Sequence, residues 1–169
     1  MIILGADHGG FELKEKIKEK LCKESYSIVD VGAFEMDSED DFSKFVKLMC
    51  NAFDNATSGS LSCENLQKNN ENLGKNDEKN AEIEDVKIIA FCGSGVGVSI
   101  GLNKHKNIFC AVGHSNEEVE KACLHNGINA LALGGRVTTL EDAEKMVDVF
   151  LSTKPLGGKY ARRMQELCE

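Results

Sequence analysis

Cys92 opens the segment Cys92-Gly93-Ser94-Gly95-Val96-Gly97, in which a thiol and three glycines stand before a helical pattern. Glycines let successive backbone N–H groups face an anion, and a helix N-terminus adds positive potential. A thiol in that setting is drawn below the ~8.5 of free cysteine, and its thiolate is a competent base or nucleophile near neutral pH. The segment is not a dinucleotide fingerprint, because Val98 stands where a third glycine is needed, and no Gly-Lys-Ser/Thr follows to make a phosphate loop. Alone it reads equally well as a tight turn after a buried cysteine. Asp7, His8 and His125 are further acid–base groups, and Arg136, Lys159, Arg162 and Arg163 are candidate anion holders. Each also has a plain alternative: turn residues, a helix-terminal histidine, or solvated charges, the last being preferred for Arg162.

These residues gain meaning from the elements that carry them. Short apolar, β-prone runs alternate with helical periodicity, the pattern of a parallel sheet covered by helices. Strands are expected at residues 1–6, 27–31, 86–91, 107–112 and 128–133. Helices are expected at 11–24, 42–53, 116–125 and from a cap at Thr138 or Thr139 to about 151, with one after the glycine loop and a short basic one at the end. In the first, Leu13, Ile17 and Leu21 form the apolar face, with lysines and glutamates opposite; in the second, Phe42, Phe45, Val46 and Met49 form the stripe. Leu140, Ala143, Met146, Val147 and Phe150 are expected to face inward. The fold class is α/β, a three-layer α/β/α sandwich with a Rossmann-like parallel sheet of about five strands. Ligands of such sheets bind beyond the carboxyl ends of the strands. Asp7 and His8 follow the first strand, Cys92 the third, Arg136 the fifth, and His125 closes the helix before the fifth, so convergence on one edge is expected.

The 169 residues suit a single domain. Residues 54–84 break the rhythm, being rich in Asn, Ser, Lys and Glu, and read as a poorly ordered surface insertion without a function of its own. A net charge of −8 argues against nucleic-acid or anionic-membrane surfaces, though not against a small anion held by clustered cations. No apolar run reaches the ~20 residues of a membrane span, and no signal-peptide core is present, so a cytoplasmic location is expected. The seven cysteines are odd in number and contain no C-x-x-C pair, which argues against a disulfide framework or structural zinc.

Four ordered segments resemble the ribose-5-phosphate isomerase type B family, which also holds allose- and galactose-6-phosphate isomerases. They are GADHGGFELKEKIK (5–18), FCGSGVGVSIGLNK (91–104), LHNGINALALGGRV (124–137) and VDVFLSTKPLGGKYARR (147–163). The resemblance implies that Cys92 is the base moving a proton between the first two sugar carbons, and that Ser94 with the amides of Gly93, Gly95, Val96 and Gly97 stabilises the enediolate oxygen. It implies ring opening by His125 with assistance from Asp7. It further implies that Asp7, His8 and Asn126 hold hydroxyls or phosphate and that Arg136, Lys159 and Arg163 hold the phosphate. A homodimer or homotetramer with sites shared across the interface is implied, and neither metal nor organic cofactor. The chain departs from the family pattern at Phe42 and Ser43, where tyrosine and proline are usual. It departs also at Phe109 (a usual arginine), Gly127 (aspartate), Lys159 (arginine) and Tyr160 (histidine). The competing readings are an allose- or galactose-6-phosphate isomerase and, from another class, a non-catalytic sugar-phosphate or nucleotide-binding module.

Overall fold

The computed structural model describes residues 1–58 and 86–167. Residues 59–84 of the expected insertion, with Cys63 and Cys168, lie outside the described residues. The chain runs β1 (Ile2–Ala6), α1 (Phe11–Lys23), β2 (Ile28–Asp30), α2 (Phe42–Thr57), β3 (Lys87–Cys92), α3 (Val96–Leu102), β4 (Cys110–Val112), α4 (Asn116–Asn126), β5 (Ala130–Gly134), α5 (Leu140–Ser152) and α6 (Lys159–Glu166). All strand pairs are parallel, in the order β2-β1-β3-β5-β4.

The three central strands are β1, β3 and β5, and all but one of their residues are buried. That is why they read as unbroken apolar runs rather than alternations: helices cover both faces. Alternate side chains enter two cores. Ile2, Leu4, Ala6, Ile89, Phe91, Leu131 and Leu133 pack with α1, α4 and α5, whereas Ile3, Ile88, Ala90, Cys92, Ala130 and Ala132 pack with α2 and α3. Cys92 thus ends its strand on the α2/α3 side, beneath the loop that follows.

Several local expectations are revised. Asn107 takes a positive φ of 75°, and the Phe109 N–H is taken by the Asn129 side chain at 2.8 Å. The chain therefore joins the sheet only at Cys110, later than the apolar run suggests. At the end of α2 the Thr57 hydroxyl donates to the Phe53 carbonyl at 2.9 Å and the helix reaches Thr57, beyond the residue 53 expected. Leu140, expected inside, is exposed in the first turn of α5, capped by Thr139 accepting from the Asp142 N–H. Lys14 lies on no solvent face: it is fully buried beside the α1 stripe because its ammonium reaches Asp30 and the Ala33 carbonyl.

Candidate active site

The loops after β1, β3 and β5 meet at the carboxyl edge, and glycine makes the approach possible. A Cβ on Gly10 would lie 2.5 Å from the Phe91 carbonyl carbon, one on Gly9 2.8 Å from the Gly93 nitrogen, and one on Gly135 2.4 Å from the Gly9 oxygen. Backbone bonds tie the same loops, with the Gly135 N–H donating to the Cys92 carbonyl at 2.8 Å and the Arg136 N–H to the Gly93 carbonyl at 3.0 Å. Gly95 caps α3 at φ 80°, and its N–H donates to Cys92 Sγ at 3.1 Å. The sulfur is buried, while Ser94 beside it is exposed and its hydroxyl accepts from the Val96 N–H at 3.3 Å. The Arg136 side chain lies along Gly93, its Cδ, Cζ and Nε within 3.4–3.5 Å of the position of an added Cβ. The Phe42 ring lies over Gly97 in the first turn of α3, 3.2 Å from a Cβ placed there.

Asp7 and His8 face the same edge. Burial pushes the Asp7 carboxyl above the ordinary aspartate range, against the pull of the neighbouring His8 and of the Gly9 and Gly10 amides. The Gly10 N–H donates to Asp7 Oδ1 at 3.2 Å. His8 is held above the ordinary histidine value chiefly by its hydrogen bond to the Asp40 side chain, with Asp7 adding a smaller electrostatic push. Asp40 was not singled out from the sequence; it sits in the acidic run 37–41, which offers no spacing signal.

His125 does not join this group. A helix between parallel strands runs antiparallel to them, so the C-terminus of α4 lies at the amino edge of the sheet, where β5 begins. The five residues of β5 separate it from Gly134 at the carboxyl edge, a rise of roughly 15 Å. The expected convergence on one edge is therefore corrected: the candidate residues form two clusters. The amino-edge cluster is a groove lined by Phe109, Leu124, His125, Asn126, Pro155, Tyr160 and Met164, among others. His125 stacks on Tyr160, centroids 4.5 Å apart and planes 11° from parallel. Lys159 Nζ lies 5.2 Å from the Tyr160 centroid, and the Asn126 amide meets Met164 Sδ at 3.6 Å. Arg163 is exposed on α6, and Arg162 pairs with Glu166 at 2.6 Å on the surface, the solvated role expected for it.

The ribose/galactose isomerase family profile matches residues 2–65 and 75–167. The chain belongs to this family. The ribose-5-phosphate isomerase B of Mycolicibacterium paratuberculosis is 31% identical over 169 residues, covering 99% of this chain and 89% of the relative. The probable ribose-5-phosphate isomerase B of Mycoplasma genitalium is 30% identical over 166 residues, covering 98% and 92%. Among solved structures, the Mycoplasma genitalium ribose-5-phosphate isomerase B with bound ribulose-5-phosphate matches at a TM-score of 0.78 and 28% identity, covering 99% of this chain and 93% of that one. The Clostridium thermocellum isomerase B matches at 0.78 and 29%, covering 99% and 94%. The expectation of a sugar-phosphate isomerase with a five-stranded parallel sheet is borne out. No helix among the described residues is long and apolar enough to cross a membrane.

Proposed function

We propose that this member of the ribose/galactose isomerase family interconverts D-ribose 5-phosphate and D-ribulose 5-phosphate through an enediolate. The observation that carries the reading is Cys92, whose sulfur receives the Gly95 N–H on the edge that also bears Ser94, Asp7, His8 and Arg136. The thiolate of Cys92 takes the proton from C2 of the open-chain aldose and electrons move to the C1 carbonyl oxygen. The O2 hydroxyl proton then passes to O1 while the Cys92 thiol returns its proton to C1, leaving the C2 carbonyl of the ketose and the thiolate restored. Loop amides and the Ser94 hydroxyl face the oxygen where negative charge grows, a role worth ~10²–10³ in rate per donor in water-excluded sites. His125 opens the furanose ring as acid and base, with Asp7 assisting. Arg136, Lys159 and Arg163 hold the phosphate, while Asn126 and His8 bind polar oxygens of the sugar phosphate.

Because Cys92 and His125 lie at opposite edges of one chain, the working site takes His125, Asn126, Lys159 and Arg163 from a second copy. The surface beside the cysteine loop suits such a contact: Val96 (47%), Ile100 (57%) and Val137 (68%) are exposed there. A homodimer is the smallest assembly that completes two sites, and a homotetramer would pair two of them. Residence in the cytoplasm accords with the free state of Cys22, Cys50, Cys92, Cys110 and Cys123.

A coupled assay of the purified chain on ribose 5-phosphate, allose 6-phosphate and galactose 6-phosphate tests the substrate. Ribose 5-phosphate is expected to give the highest kcat/KM. Preference for a hexose phosphate would move the assignment within the family, and no turnover of any would favour a binding module.

A further inference from the structure

The contact between His8 and Asp40 is built more firmly than a surface ion pair. The Asp40 side chain is 5% exposed and that of His8 29%. One carboxylate oxygen, Asp40 Oδ1, receives the His8 backbone N–H at 2.8 Å and lies 2.9 Å from His8 Nδ1; the Asp40 carbonyl lies 3.2 Å from the same ring nitrogen. Both neighbours of Nδ1 are acceptors, so Nδ1 carries the hydrogen, and Nε2 is the nitrogen free to meet a ligand. The other carboxylate oxygen, Oδ2, is buried without a hydrogen-bond partner among the described residues, a cost that buried polar atoms bear only for a reason. The segment carrying Asp40 is anchored at its start, where the buried Lys14 ammonium donates to the Ala33 carbonyl at 2.6 Å and to Asp30 at 3.1 Å.

We propose that Asp40 is a positioning residue whose buried carboxylate, 2.9 Å from Nδ1, fixes the Nδ1–H of His8 and favours the imidazolium, so that Nε2–H is presented as a donor to an anionic oxygen of the ligand. Only the identity of that ligand rests on the sugar-phosphate reading. The carboxylates acting on His8 are Asp40, from the segment between β2 and α2, and Asp7, its chain neighbour; both favour the cation. Its charge is therefore kept to a pH above that of an ordinary histidine and lost as the pH rises further.

Histidine ring signals of the whole protein, followed by NMR against pH, supply the first test. The signal absent from His8→Gln is expected to titrate above 6.5 in the wild type, and lower in Asp40→Asn, where the shape remains and the charge is gone. In Asp40→Asn the KM for ribose 5-phosphate near pH 7.5 is expected to rise roughly 10-fold, with kcat changed far less, the loss of one charge-assisted hydrogen bond. In a His8→Gln background the same change is expected to add almost nothing, because Asp40 acts through His8. A wild-type His8 titrating at or below 6.5 would overturn the proposal, whether or not the variants fold. So would an Asp40→Asn loss of equal size in both backgrounds, which would mark Asp40 as structural. The titration needs no substrate, so failure to isomerise ribose 5-phosphate would count against the assigned reaction and leave the His8 result to stand on its own.

Discussion

Two neighbouring acids, Cys92 and Asp7, are held by backbone amides, Gly95 N–H on the sulfur and Gly10 N–H on the carboxylate. Cys92→Ser should lower isomerisation by about 10³-fold or more, since a hydroxyl supplies no anionic base at neutral pH. Inorganic phosphate should still bind to this variant. His125→Ala should slow turnover of the cyclic sugar but spare exchange of the carbon-bound proton with deuterated solvent in the fraction already open. Continued exchange at the wild-type rate in Cys92→Ser would remove Cys92 from the role of base. Asp7 carries a stability consequence of its own. Its pKa is raised in the fold, so the protonated form is the one that folding favours, and ionisation costs stability as the pH rises through the raised value. Asp7→Asn should therefore melt above the wild type at pH 7, with the gap closing at acid pH near and below 3.8, while losing activity. A lower melting temperature at pH 7 would show that the carboxylate is held by more than it loses on burial. Cys92, Asp7, His8 and Arg136 are legible because each stands at the end of an apolar strand or within two residues of it. Asp40 and Lys14 were not, because their burial comes from partners distant in sequence: Lys14 meets Asp30, and Asp40 meets His8, 32 residues away.

At the scale of elements, the carboxyl edge depends on loops that no side chain could separate. Gly135→Ala would drive a Cβ to within 2.4 Å of the Gly9 carbonyl oxygen, a contact only backbone movement relieves. The expected cost is about 1–3 kcal/mol by urea unfolding, with a disproportionate fall in kcat/KM because Asp7, Cys92 and Arg136 are all reached through these loops. Wild-type kinetics in a destabilised Gly135→Ala protein would separate the packing from the site. Strands β1, β3 and β5 were readable because burial on both faces leaves unbroken apolar runs, and the cap of α5 because Thr139 stands just before the periodic residues. The β4 start misled because Asn107, Ile108 and Phe109 have strand-like neighbours, yet Asn129 takes the Phe109 N–H. The apolar stripe of α2, expected from Phe42, begins at Phe45: the buried residues are Phe45, Val46, Met49 and Phe53, and the Phe42 ring instead covers Gly97.

At the scale of the molecule, chain direction decides where catalytic groups can meet. Strand-following residues and helix-ending residues of a parallel α/β fold lie on opposite edges, which is why the proposed site draws Cys92 and His125 from different chains. The resemblance of the motifs to an isomerase family implies shared sites, whereas strand order alone implies one edge; the antiparallel run of α4 decides between them by placing His125 at the amino edge. In the proposed assembly each working site pairs the Cys92 edge of one copy with the His125 edge of another. The most direct measurement is to refold Cys92→Ser and His125→Ala chains together and assay ribose 5-phosphate isomerisation against each alone. Random pairing makes about half the dimers mixed, and each mixed dimer holds one intact site and one doubly altered site. About a quarter of wild-type activity is expected to return on this arithmetic. Activity no greater than that of the two parents, with mixed dimers demonstrated by mass, would contradict it.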